Sequence, residues 1–216
     1  MRSNREALRI FGILHVNLYF FQGSGVKTFG KIRAFIGISL DQEISKNVLQ
    51  VYQEFKKTGI RMVNPDSLHI TLAFLGNISL DEEKGIERIL DLINARKFVI
   101  SIKGIGCFSE TKPQVVFAKI EKGIKELNKL HDDIFKSLGS AKVLKEAKKE
   151  DFIPHITLGR VRKHTKDIDR TVIEICTKYK DLDFGSMNCK NFALIKSSLT
   201  KDGPIYEDLY KRTLEP

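Results

Sequence analysis

The tetrad His-Ile-Thr-Leu occurs twice in this chain, at His69 to Leu72 within SLHITLAFLG and at His155 to Leu158 within FIPHITLGRVR. Histidine titrates near neutrality, so two of them can divide one reaction between a neutral proton acceptor and a protonated donor. In an in-line displacement at phosphorus the attacking and leaving oxygens lie on opposite sides. Acid and base must therefore approach from opposite directions, which two matched strands can arrange. Thr71 and Thr157, two residues on, would donate hydroxyl hydrogen bonds to the non-bridging oxygens where charge accumulates. The scheme requires neither metal nor cofactor, and two histidines without matching thiolates or carboxylates nearby form a poor ligand set. A single His-x-Thr is most often an ordinary half-buried strand histidine. Repetition of the whole tetrad 86 residues later is what makes the signal specific.

Each tetrad reads as a strand. Successive side chains on a strand point to opposite faces, so His69 and Thr71 share one face and Ile70 and Leu72 the other, and likewise for the second copy. The aliphatic pair anchors the strand while the imidazole and hydroxyl stay available. Around these strands the pattern predicts a first strand in IRAFIGISL and a helix from an Asp41 N-cap through Phe55. Asn64-Pro65-Asp66 is a turn into the first motif. A second helix is predicted over about 80–94, strands over 98–105 and 114–120, and a third helix carrying Ile124, Leu127, Leu130, Ile134 and Leu138. After the second motif come a helix over about 166–179, strands over 182–187 and 189–197, and a short segment containing Ile205. Elements repeat in two half-chains, and helices mixed with hairpin-like strand pairs favour an α+β fold. The expected architecture is two pseudo-symmetric lobes, each a mainly antiparallel sheet with helices on its outer face, and an active-site cleft between them.

Composition sets the frame. Of the 216 residues, 42% are hydrophobic and 30% charged, as in a globular protein able to bury its own core. A formal charge of +10 favours a polyanionic or phosphorylated partner. Three scattered cysteines with no C-x-x-C pair argue against a disulfide framework or a thiolate zinc site, and place the chain in a reducing cytoplasm. Residues 1–30 are expected to stand outside the fold. Their basic start and interrupted apolar run mimic a signal peptide, and NLYFFQGSG resembles a protease-cleavable linker; an overlong start or a genuine extension are equal readings. The run is too short to span a bilayer. These thirty residues hold four basic groups and one acidic one, so the remainder still carries +7.

From Lys31 onward the sequence resembles the 2H phosphoesterases, and within them the RNA 2′,3′-cyclic phosphodiesterases, also called 2′-5′ RNA ligases. The resemblance is carried by RAFIGISL, DSLHITLAFLGN, PQVVFAKI, FIPHITLGRVR and SSLTKDGPIYEDL. It implies a bilobal domain over 31–216 that opens a ribonucleoside 2′,3′-cyclic phosphate to a 2′-phosphate. It also implies His69 as proton donor to the leaving ribose oxygen and His155 as the acceptor that activates water. The partner is then RNA with 2′,3′-cyclic phosphate ends, tRNA fragments being one candidate, and the enzyme acts as a monomer away from membranes. The alternatives are 2′-5′ RNA ligase or phosphodiesterase activity as the main one, and an RNA-binding module with a vestigial site.

Secondary candidates surround the motifs. Arg160 would bind substrate phosphate, but on an ideal strand it is out of phase with His155 and reaches the site only through a twist or bulge. Phe152 and Arg162 are candidates for base or RNA contact, with solvation the favoured role for Arg162. Phe35 is assigned to packing rather than stacking. Lys142, Lys145, Lys148 and Lys149 would steer RNA electrostatically if they are more than a solvated face.

Overall fold

The computed structural model describes residues 30–56, 58–109, 111–140, 152–201 and 203–216. The leader and the lysine-rich stretch with its four steering candidates lie outside these residues. Among the described residues, nine strands form one sheet: β1 (Ile32–Ser39), β2 (Ile60–Met62), β3 (His69–Ile78), β4 (Phe98–Phe108), β5 (Val115–Lys122), β6 (His155–Val161), β7 (Asp183–Cys189), β8 (Asn191–Leu199) and β9 (Pro204–Thr213). Their order is β7-β4-β5-β6-β3-β1-β8-β9, with β2 beside β6, and every pairing among these named strands is antiparallel.

The order is palindromic in construction. The two motif strands lie at the middle, each with its own wing of three strands, and the wings are the two expected pseudo-symmetric halves of this α+β fold. Across the seam β3 and β6 share a single register pair, Ile70 with Ile156. Elsewhere neighbouring strands pair over several residues, so the halves meet along a narrow line.

Among the described residues, five α-helices pack about the sheet: α1 (Gln42–Leu49), α2 (Tyr52–Lys56), α3 (Leu80–Asp91), α4 (Ile124–Ser140) and α5 (Lys166–Lys178). Their starts are chemically specified. Asp41 accepts from the Ile44 amide, Ser79 and Glu82 form a reciprocal capping box, and Thr165 accepts from the Ile168 amide. α1 packs on β7, α5 on β4 and α4 on β3. These contacts bury Ile70, Leu72, Ile156 and Leu158 in one continuous apolar core. The motif histidines and threonines, in opposite phase, are half-buried on the other face of the sheet.

Three expectations change. The single helix over 41–55 is two, because Gln50 and Val51 bond back to Asn47 and Val48, a tightened turn that rotates Val51, Tyr52 and Phe55 into the core. Strand β2 is an addition; three residues are too few to display a period. The short Ile205 segment is the ten-residue β9. Among the described residues, no helix is long and apolar enough to cross a membrane.

Candidate active site

Both motif histidines are oriented by their own backbone. His69 Nδ1 lies 2.7 Å from the Ser67 carbonyl oxygen, and His155 Nδ1 lies 2.7 Å from that of Ile153. A carbonyl only accepts, so in the neutral ring the proton resides on Nδ1 and the Nε2 lone pair is left for a substrate. Aromatic rings fix each imidazole plane. His69 sits 4.6 Å from Phe35 and 5.0 Å from Tyr206, which it meets edge-on. His155 sits 5.0 Å from Phe108, also edge-on, and 5.4 Å from Phe117. The two halves thus repeat the same device: a backbone tie on one ring nitrogen and a pair of aromatic rings as walls.

Two matched β-bulges complete the arrangement. Gly37 pairs with Thr71 while the adjacent Ile36 pairs with Ala73, leaving Leu72 as an extra residue in β3. Likewise Phe117 pairs with Thr157 and Val116 with Gly159, leaving Leu158 extra in β6. An inserted residue reverses the phase of everything beyond it. Burial accordingly alternates as far as Leu158, repeats at Gly159, and exposes Arg160 on the face of His155 and Thr157. The phase objection to Arg160 is removed by this bulge. Phe74 stands at the same offset after His69 and is 64% exposed, an unusual position for a large apolar ring.

The electrostatics agree with this convergence. Burial lowers the pKa of His69 below the usual 6.5, opposed by the Ser67 hydrogen bond and reinforced by His155 and Arg160. Burial likewise lowers that of His155, opposed by the Ile153 carbonyl and reinforced by Arg160. Arg160 is therefore within electrostatic reach of both rings. It also feels Tyr206 and Arg33, which oppose and add to the lowering of its own pKa by burial. Tyr206 is shifted upward by burial against the pull of the same two arginines. A recess of about 350 Å³ opens beside His69, with Leu68 and Ile195 at its apolar surface and Ser39, Ser67, Tyr206 and Asp208 among its polar lining.

His69, Thr71, His155, Thr157 and Arg160 thus share one face about the seam. Phe152 does not join them: it packs against the core, stacked 4.2 Å from His131. Arg162 lies beyond the end of β6 and is exposed. Phe35 is buried, but in a small cluster with Ala193 and Ile195 beneath His69 rather than in the main core. Sequence reasoning passed over Phe74, Tyr206 and Arg33. Extending the alignment of the two tetrads by two residues would have set Phe74 opposite Arg160; nothing local signals Tyr206, which arrives from the far end of the chain. Among the described residues, no group of three or more His, Cys, Asp or Glu side chains is placed to hold a metal.

This arrangement can do proton transfer on both sides of one phosphate, with threonine hydroxyls and a guanidinium for its oxygens. Residues 34–212 match the family described as the AKAP7 2′5′ RNA ligase-like domain. The chain is 34% identical over 181 residues to the RNA 2′,3′-cyclic phosphodiesterase of Archaeoglobus fulgidus, covering 82% of this chain and 98% of that protein. It is 33% identical over 179 residues to that of Methanocaldococcus jannaschii, covering 82% and 97%. Among solved structures it resembles apo LigT of E. coli, with a TM-score of 0.71 at 23% identity over 87% of this chain and 99% of the other. A Thermus thermophilus protein gives a TM-score of 0.67 at 26% identity, over 85% and 98%.

Proposed function

This chain belongs to the 2H phosphoesterase family of RNA 2′,3′-cyclic phosphodiesterases, and from that premise we propose how its own residues carry out the hydrolysis of terminal 2′,3′-cyclic phosphates. His155, its Nδ1 proton tied to the Ile153 carbonyl, takes a proton from water through Nε2. The water attacks phosphorus, the bond to the ribose 3′ oxygen breaks, and His69 delivers a proton to that oxygen. The product is a 2′-phosphate. Thr71 and Thr157 donate to the non-bridging oxygens, and Arg160 neutralises the charge that builds on them. Phe74, exposed and in phase with the site, offers a face on which a base can stack.

The observation that carries this reading is the paired orientation of the histidines, each locked by a carbonyl two residues upstream in the two halves of a pseudo-symmetric sheet. A binding module with a vestigial site has no need of that repeated lock. RNA is the substrate, with tRNA fragments the source we favour. The enzyme acts as a monomer in the cytoplasm, a placement supported by three scattered cysteines with no C-x-x-C pair.

Incubation with 2′,3′-cyclic AMP and with an oligonucleotide ending in a cyclic phosphate, each with and without excess chelator, tests the reading. Release of 2′-phosphate from both is expected under both conditions. Hydrolysis of neither overturns the activity, and loss only on adding chelator overturns the metal-independent route.

A further inference from the structure

His131 is a titratable side chain that the proposed reaction does not use, and it is 5% exposed in the middle of α4. Its Nδ1 lies 2.7 Å from the carbonyl oxygen of Leu72, 59 positions away in sequence. Since the carbonyl accepts, the imidazole donates. Leu72 is the extra residue of the β3 bulge, next to Thr71, so its carbonyl is the group that a bulge withdraws from regular pairing. Phe152, three residues before His155, stacks on the same ring at 4.2 Å with the planes 3° apart. One side chain therefore touches the approach to both motif strands.

The opposite half of the sheet shows why this contact matters. There the equivalent carbonyl, on Leu158 in the β6 bulge, accepts from the Val63 backbone amide at 2.8 Å, just beyond strand β2. β2 flanks β6 alone; no described strand stands in that position beside β3. The two bulges are thus secured by different means, backbone on one side and an imidazole on the other. The ladder linking β3 to β6 is one residue pair long, which leaves the relative placement of the half-sites under-specified by the sheet itself.

We infer that His131 is the positioning residue of the site: it holds the Leu72 bulge and, through Phe152, fixes the His69/Thr71 strand relative to the His155/Thr157 strand. It touches no substrate. The inference rests on the two-histidine hydrolysis proposed above, because a displacement of about 1 Å between groups that must flank one phosphate costs rate rather than binding. Keeping the aromatic stack alone would not preserve the function, since the donor to Leu72 is what restrains the bulge.

The test uses the full chain and three variants, His131→Gln, His131→Phe and His131→Ala. Steady-state hydrolysis of 2′,3′-cyclic AMP is measured beside Tm, and inorganic phosphate is titrated while the His69 and His155 ring resonances are followed. His131→Phe keeps a ring for Phe152 and loses the donor. Its kcat is expected to fall about 10- to 100-fold with KM little changed. His131→Gln can still donate to the Leu72 carbonyl and is expected to recover most of that loss, a pattern that a purely structural role would not produce. Wild-type kcat in the folded fraction of all three variants overturns the inference, as does an equal loss for Gln and Phe. If the wild type hydrolyses no cyclic phosphate, the functional reading falls and the phosphate titration decides this one. Weaker or displaced responses of the two rings in His131→Phe then support it, and responses identical to wild type overturn it.

Discussion

At the scale of single residues the site combines two imidazoles that burial makes harder to protonate with one guanidinium that pushes in the same direction. Both rings have pKa values lowered from 6.5, so in the free protein both lose their protons before neutrality is reached. In the proposed reaction His155 would thereby be ready as a base, while His69 would acquire the proton it donates when an anionic phosphate enters beside it. Because hydrolysis needs one ring protonated, kcat/KM should be bell-shaped with its maximum below pH 6.5, falling as pH rises through the lowered pKa values; a maximum above pH 7 contradicts this. Replacing Arg160 by Gln removes a cation that disfavours protonation of both rings. The whole profile should shift to higher pH, and the rate should drop by about 10² to 10³ through loss of charge stabilisation. Single His69→Ala and His155→Ala changes should each cost about 10² to 10⁴ in kcat. Near-wild-type turnover by either variant would remove the paired mechanism.

At the scale of elements, regularity supplies the core and irregularity supplies the site. The aliphatic residues of each tetrad alternate cleanly into the core, and that much follows from a period of two. Arg160 reaches the cleft only because Leu158 is extruded from the ladder, and Phe74 only because Leu72 is. A bulge is decided by the neighbouring strand, so the sequence of β6 alone could not place Arg160. Backbone approaches are equally decisive at Gly104, whose φ is +80° and where an added Cβ would come within 2.0 Å of the Lys180 carbonyl oxygen. Gly104→Ala should lower stability by about 1–3 kcal/mol from the strained conformation alone. Urea unfolding should show the loss as a lowered midpoint relative to wild type.

At the scale of the whole molecule, two wings of one sheet meet through a seam of one register pair and are backed by helices on the side away from the cleft. Such a joint concentrates function where the sheet is weakest, and makes cross-seam contacts from α4 more consequential than their number suggests. The overall charge of +10 acts on a longer range. An RNA oligonucleotide should lose about tenfold or more in kcat/KM between roughly 50 and 200 mM salt, while a cyclic mononucleotide with its single charge should lose little. Equal salt sensitivity of the two would show that recognition is confined to the terminal phosphate.

The sequence by itself determined the two motif strands, the face on which their histidines and threonines lie, the α+β class and the pairing of half-chains, because side-chain period and motif repetition are local properties. Tertiary structure alone decided the phase of Arg160, the nearness of Tyr206 and Arg33, and the capture of the Leu72 carbonyl by His131. Each of these depends on what a distant strand or helix places alongside. A bulge, an electrostatic neighbour and a hydrogen bond across 59 residues have no periodic signature in the chain that forms them.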